Sequence, residues 1–122
     1  MIDSIDHVVL TVSNIDASCD FLSRVLLADV VVSAPGRKAI RFGDQKINLQ
    51  TLGQELRNNA AIGSGDLCLI SSWPLEKIIG HLNAEGIEIL EGPVEKSGAK
   101  GPIYSIYFND LDRNLIEVSV YA

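Results

Sequence analysis

"IDHVVLTVSNIDASCDFLSRV", residues 5–25, sets a β-branched run directly against a helix signal, and the way the two meet decides the fold. Residues 5–12 carry Ile, Val and Thr, side chains that suit a pleated, half-buried surface, so a strand is predicted there. Ser13 with Asp16 three positions on has the form of a capping box, and a helix is predicted to follow at once. Ile15, Phe21, Leu22, Val25 and Leu26 gather on one side of that helix and leave Asp16, Asp20 and Arg24 for water. His7 stands inside the apolar run. An imidazole there is either a core histidine with a bonded partner or a metal ligand.

Beyond the helix come "DVVVSA", the turn "PG", "KAIRFG", a turn at Asp44 and Gln45, and "KINLQT". Each is short and bounded by turn residues, so the order is strand, helix, strand, strand, strand. The second half repeats it. "GDLCLI" is a strand, Pro74 suits a first helical turn, and Leu75, Ile78, Ile79 and Leu82 recur at helical spacing until Gly86. "GIEIL", "IYSIYFND" and "NLIEVSVY" complete the set. Laying Asp6 on Asp66 places His7 on Leu67. The chain thus reads as one domain over residues 1–122, with one module over about residues 3–52 and a second over about 65–122. The polar, glycine-containing stretch 92–102 reads as a long loop of the kind that covers a site.

At 122 residues the chain can bury a core without staples. A net charge of -6 with no basic stripe repels phosphate backbones and anionic lipid, which argues against nucleic acid and membrane partners. "MIDSID" is acidic where a signal peptide is basic, and no apolar run approaches the roughly 20 residues of a membrane span, so a cytoplasmic protein is expected. Cys19 and Cys68 have no CxxC spacing and are expected as buried free thiols.

The duplicated βαβββ order, the opening "IDHVVLTV" run and the closing "FNDLDRNLIEV" hairpin resemble the vicinal oxygen chelate superfamily of glyoxalases, bleomycin-resistance proteins and extradiol dioxygenases. "KINL" and "GPIYSIYFND" are similar to stretches of small glyoxalase-domain proteins. The resemblance implies an α+β fold of two tandem βαβββ modules whose curved mixed sheets form a cup. It also implies ligands from the first and last strands of each module, a small-molecule ligand, and a homodimer.

Period-2 counting agrees with those positions. His7, Val9 and Thr11 share one face, as do Lys46, Asn48 and Gln50, and as do Glu117 and Ser119. The resemblance therefore nominates His7, Gln50 and Glu117 as ligands of a divalent metal (Zn, Ni, Mn or Fe), with Glu117 as the catalytic acid or base. Asn48, Arg41 and Tyr107 are the substrate-binding candidates, the last two because Phe42 can be laid on Phe108. Against each stands a plainer role: a buried, bonded histidine, an edge carboxylate, a polar wall, a solvated strand face. Leu67 cannot ligate, and Gln50 is a neutral amide where the resembling proteins place Glu or His, so metal binding is expected to be weak or absent. His81 falls on the second helix, on or beside its solvent side. One His7 per site rules out a two-histidine iron centre, which disfavours a dioxygenase. Three readings follow: a metal-dependent lyase or isomerase of glyoxalase type, a non-catalytic binding protein of the bleomycin-resistance type with a degenerate metal site, or an inert interaction or scaffold domain. The run "NDLDRN" (residues 109–114) reads as a hairpin turn without the spacing of a calcium loop.

Overall fold

The computed structural model describes all residues from Met1 to Ala122, and one order of elements occurs twice. The first unit, Met1–Ser64, holds β1 (His7–Thr11), α1 (Ile15–Leu26), β2 (Asp29–Ser33), β3 (Arg37–Phe42) and β4 (Gln45–Gln50). The second, Gly65–Ala122, holds β5 (Asp66–Ile70), α2 (Leu75–Ala84), β6 (Glu91–Gly98), β7 (Gly101–Asn109) and β8 (Leu115–Tyr121). The sheets run β1-β4-β3-β2 and β5-β8-β7-β6, with the first strand of each parallel to the last. Two tandem βαβββ modules are therefore present, each with a mixed four-stranded sheet and one helix.

In the first unit α1 buries Cys19, Phe21, Leu22 and Val25, and it packs mainly on β3. Leu10, Ile40, Ile47 and Leu49 complete that core, and each such side chain contributes about 1.5–3 kcal/mol by leaving water. The helix begins one residue later than the sequence suggested. Asn14, not Ser13, is the N-cap, its Oδ1 accepting the Ala17 N–H at 2.9 Å. In the second unit α2 buries Ile78 and Leu82 and lies on β7, while Ile103, Ile106, Phe108, Ile116 and Val118 form the sheet's buried apolar set. His81 is half-buried and meets the Trp73 ring edge-on, with centroids 6.3 Å apart.

The largest departure from the sequence reading lies after α2. Residues 86–90, predicted as a strand, form none, although Leu90 N–H donates to the Tyr107 carbonyl at 2.8 Å, and the strand is instead Glu91–Gly98, where a loop was expected. Strand β6 is an edge, so Pro93 can sit at a bulge between Glu91 and Val94 without costing a ladder hydrogen bond. Gly92 has φ +111°, and a Cβ there would overlap the Ser105 carbonyl oxygen, so backbone meets backbone only because the side chain is absent. The expected covering loop over residues 92–102 shrinks to a turn at Ala99 and Lys100. No helix is long and apolar enough to cross a membrane.

Candidate functional site

Strands β1 and β4 bring the polar residues of the first unit together. Their ladder pairs His7 with Lys46, Val9 with Asn48 and Thr11 with Gln50, so the alternate residues read from the sequence share one face. His7, Asn48 and Gln50 line a recess of about 440 Å³, with Arg37 from β3 and with Glu55 and Arg57 from the segment after β4. Gln50 is buried and donates from Nε2 to Thr11 Oγ1 at 2.9 Å. Asn48 is buried too, yet its Oδ1 accepts no hydrogen bond. A buried carbonyl oxygen without a donor costs about 1–3 kcal/mol, which points to a partner that arrives from the recess.

The carboxylate that engages His7 is Asp6, whose Oδ1 lies 2.8 Å from Nδ1. When Nδ1 carries the proton in that bond, Nε2 presents its lone pair, the arrangement that orients metal-bound histidines. Arg57 donates to Glu55 through Nε at 2.6 Å and through a terminal nitrogen at 3.0 Å. Those bonds, with the Arg57 backbone N–H and the charge of Arg37, hold the Glu55 carboxyl down at about 2. Arg41 lies elsewhere, in a second recess of about 460 Å³ lined with Asp6, Asp29, Asp44 and Lys46.

In the second unit Glu117 lies opposite Cys68 on one side and Tyr107 on the other. Ser119 Oγ approaches Glu117 Oε2 at 3.3 Å, Ser105 Oγ at 2.7 Å and Cys68 Sγ at 3.3 Å, which makes a chain of hydroxyls running from the sheet interior to the carboxylate. Partial burial pushes the Tyr107 phenol up to about 12, helped by a hydrogen bond to Glu117 and by the charges of Glu117 and Glu91. Lys96 stands 5.5 Å from the Tyr107 ring centre and 3.4 Å from Glu91. Desolvation also raises the Cys68 thiol, with Glu117 adding to the shift and the Ser119 hydrogen bond opposing it. Both cysteines are free, but only Cys19 is buried.

The ladders also correct the register of the duplication. Val12 N–H donates to the Gln50 carbonyl as Ser71 N–H donates to that of Ser119, so Gln50 corresponds to Ser119 and Asn48 to Glu117. His7 then corresponds to Asp66, a potential ligand, and not to Leu67. By the same ladders Tyr107 corresponds to Ala39, the partner of Asn48, and not to Arg41. Asp66, Cys68 and Arg37 were missed by the sequence reading. Period-2 counting puts Arg37 on the face of Arg41 and Asp66 on that of Cys68, but the pairing of Cys68 with Glu117 is visible only in the ladder.

The sequence profile described as Glyoxalase/Bleomycin resistance protein/Dioxygenase superfamily matches residues 4–118. The chain belongs to this superfamily. Within the glyoxalase/bleomycin resistance superfamily it is 47% identical to a virulence protein of Salmonella typhimurium over 125 residues, covering all of this chain and 87% of that protein. The crystal structure of that virulence protein superposes with a TM-score of 0.94 at 46% identity, covering 100% of this chain and 99% of the other. An integron cassette protein from the mobile metagenome of V. cholerae gives a TM-score of 0.95 at 45% identity, with 100% and 98% covered. The glyoxalase domain-containing protein RDO1 of Mycosarcoma maydis is 45% identical over 121 residues, covering 97% of this chain and 68% of that protein. Below 25% identity the fold alone is shared, as with a lactoylglutathione lyase from Agrobacterium tumefaciens (22%, TM-score 0.77), an antibiotic-binding protein from a Streptomyces (18%, 0.81) and a Mn(II)-complexed fosfomycin resistance protein from Listeria monocytogenes (21%, 0.70).

Proposed function

We propose that this protein is a glyoxalase-like vicinal oxygen chelate protein that acts on a small molecule through the polar sheet faces carrying His7 and Glu117, with any divalent metal ion held weakly, because no group of three His, Cys, Asp or Glu side chains is gathered to ligate it. The observation that carries the reading is the pairing, in one recess, of a carboxylate-held imidazole with an unpartnered buried carbonyl oxygen: His7 Nδ1 lies 2.8 Å from Asp6 and Asn48 Oδ1 lacks a donor. His7, Asn48 and Gln50, which line the first-unit recess, are the residues that would hold an ion there, and Glu117 is the carboxylate on the corresponding strand of the second unit. Imidazole nitrogen and carboxylate or amide oxygen suit Zn, Ni, Mn or Fe. Such an ion acts as a Lewis acid towards a substrate oxygen. This chain's own residues orient and move protons. Asp6 fixes the His7 tautomer, and Glu117, beside a phenol and a hydroxyl chain, is the candidate proton shuttle.

The alternative is a binding protein without chemistry, of the bleomycin-resistance kind. The ladder equivalence of Asn48 with Glu117 favours it, because a neutral amide stands where the other module keeps a carboxylate. The same reading assigns a cytoplasmic location, consistent with two unpaired cysteines, and a homodimer in which open sheet edges pair between copies. Equilibrium dialysis of EDTA-stripped, untagged protein against Zn, Ni, Mn and Fe(II) tests the metal site. Loss of binding in His7→Ala with the fold retained supports it, and a His7→Ala variant that binds as tightly as the parent sinks it. Light scattering at micromolar concentration tests the dimer.

A further inference from the structure

We infer that the first-unit recess recognises an organic anion directly, through Arg37, and that Asn48 selects ligands carrying a second, hydrogen-bond-donating group. The inference deepens the reading of this site as a small-molecule site and requires no metal. The chain carries a net charge of -6, yet this recess is lined by two arginines and one carboxylate. Glu55 is committed to Arg57 by two short hydrogen bonds. Arg37 is an exposed guanidinium with no such carboxylate of its own, and a planar fork of donors is the side chain best matched to a carboxylate or phosphate. Counting Asp6, which engages His7, the two arginines balance two carboxylates, so on an acidic protein this recess is free of the excess negative charge that would repel an anion from Arg37.

Asn48 supplies the second requirement. Its Oδ1 is buried and accepts nothing within the protein, so a ligand O–H or N–H placed against it relieves a cost already present in the folded state. Ala39 is the cross-strand partner of Asn48, and Arg37 is two residues from Ala39 along β3, which makes Arg37 and Asn48 diagonal neighbours, roughly 7–8 Å apart between backbones. A ligand that satisfies both carries an oxyanion at one end and a donor at the other, with a short spacer between. Val9, partly exposed on the same face, offers that spacer an apolar wall.

The test is an amide NMR titration of the full chain in EDTA with 3-hydroxypropionate, propionate and 3-hydroxypropionamide. 3-Hydroxypropionate is expected to shift the Val9 and Asn48 signals and to bind more tightly than either control. Arg37→Gln, an exposed change that spares the core, should weaken it by roughly tenfold. Asn48→Ala should erase the preference for 3-hydroxypropionate over propionate. Equal affinity for all three probes, undiminished binding in Arg37→Gln, or no shift at roughly 100 mM probe overturns the inference. Because the titration is run without metal, failure of the metal site leaves this outcome unaffected, and the converse also holds.

Discussion

Replacing Asn114 by Ala removes a side chain that is fully buried and that joins three parts of the second unit. Its Oδ1 accepts the Gly65 N–H at 2.7 Å and its Nδ2 donates to Asp110 Oδ2 at 2.9 Å, while Asp110 Oδ1 also accepts the backbone N–H groups of Asp112 and Asn114. The substitution leaves Asp110 Oδ2 and the Gly65 amide without partners in a region where Asp110 itself is buried. A neutral bond of this kind is worth about 0.5–1.5 kcal/mol net and one to a charged group about 1.5–3, so Asn114→Ala should cost about 2–4 kcal/mol. Urea unfolding followed by Trp73, the chain's single tryptophan, reads this directly, because Trp73 lies in the same unit. The turn also sets β8 against β7, and with it Glu117 opposite Tyr107, so the upward shift of the Tyr107 phenol should shrink in the variant. A loss below about 0.5 kcal/mol would refute the reasoning, since surface substitutions away from such features stay within that range.

Three further outcomes are expected. Tyr107 should ionise near 12, against an ordinary 10, and Glu117→Gln should lower that midpoint by weakening the hydrogen bond and removing the charge, as ultraviolet difference spectra at high pH would record. A raised phenol favours the protonated fold, so its contribution is whole below pH 10 and is lost as pH rises through 12. Asp6→Ala should weaken metal binding by roughly tenfold, the low end for an outer partner of a histidine ligand because Asp6 is largely exposed, and Asp6→Asn should retain more affinity in the same dialysis assay. Gly80→Ala, on the exposed side of α2 with nothing within 4 Å of the new Cβ, should stabilise by about 0.5–1 kcal/mol in urea unfolding.

The parts of the fold that short periods encode were legible in the sequence. Alternation in β1, β4 and β8 placed His7, Asn48, Gln50 and Glu117 on the polar faces they occupy, and helical spacing located both helices. The register between the two halves was not legible from a helix-anchored comparison. Three residues separate β1 from α1 and four separate β5 from α2, so matching the helices displaces the strands by one and puts Leu67 where Asp66 belongs. A slip of one residue reverses every side chain on a strand, which is why a potential ligand read as a leucine. Strand β6 failed for a different reason. Its glycines, proline and serine carry no strand propensity, and pairing with β7, together with its place at an edge, makes it a strand. The recess residues Arg37, Glu55 and Arg57 come together through the segment after β4, and no local pattern announces that return.

Gly92 gives the fold an unusual signature for a mutational scan. At most glycines of this chain a methyl group would meet open space, so a library would record only the strain of positive φ where it exists. At Gly92 the backbone of β7 already occupies the place of any β-carbon, from the Ser105 carbonyl to the Ile106 Cα at 2.9 Å. No flexible neighbour can yield, because the obstacle is main chain held in a ladder to β8. In such a scan this position should therefore accept no residue but glycine, and the stringency would report on strand contact in the second module without any assay of function.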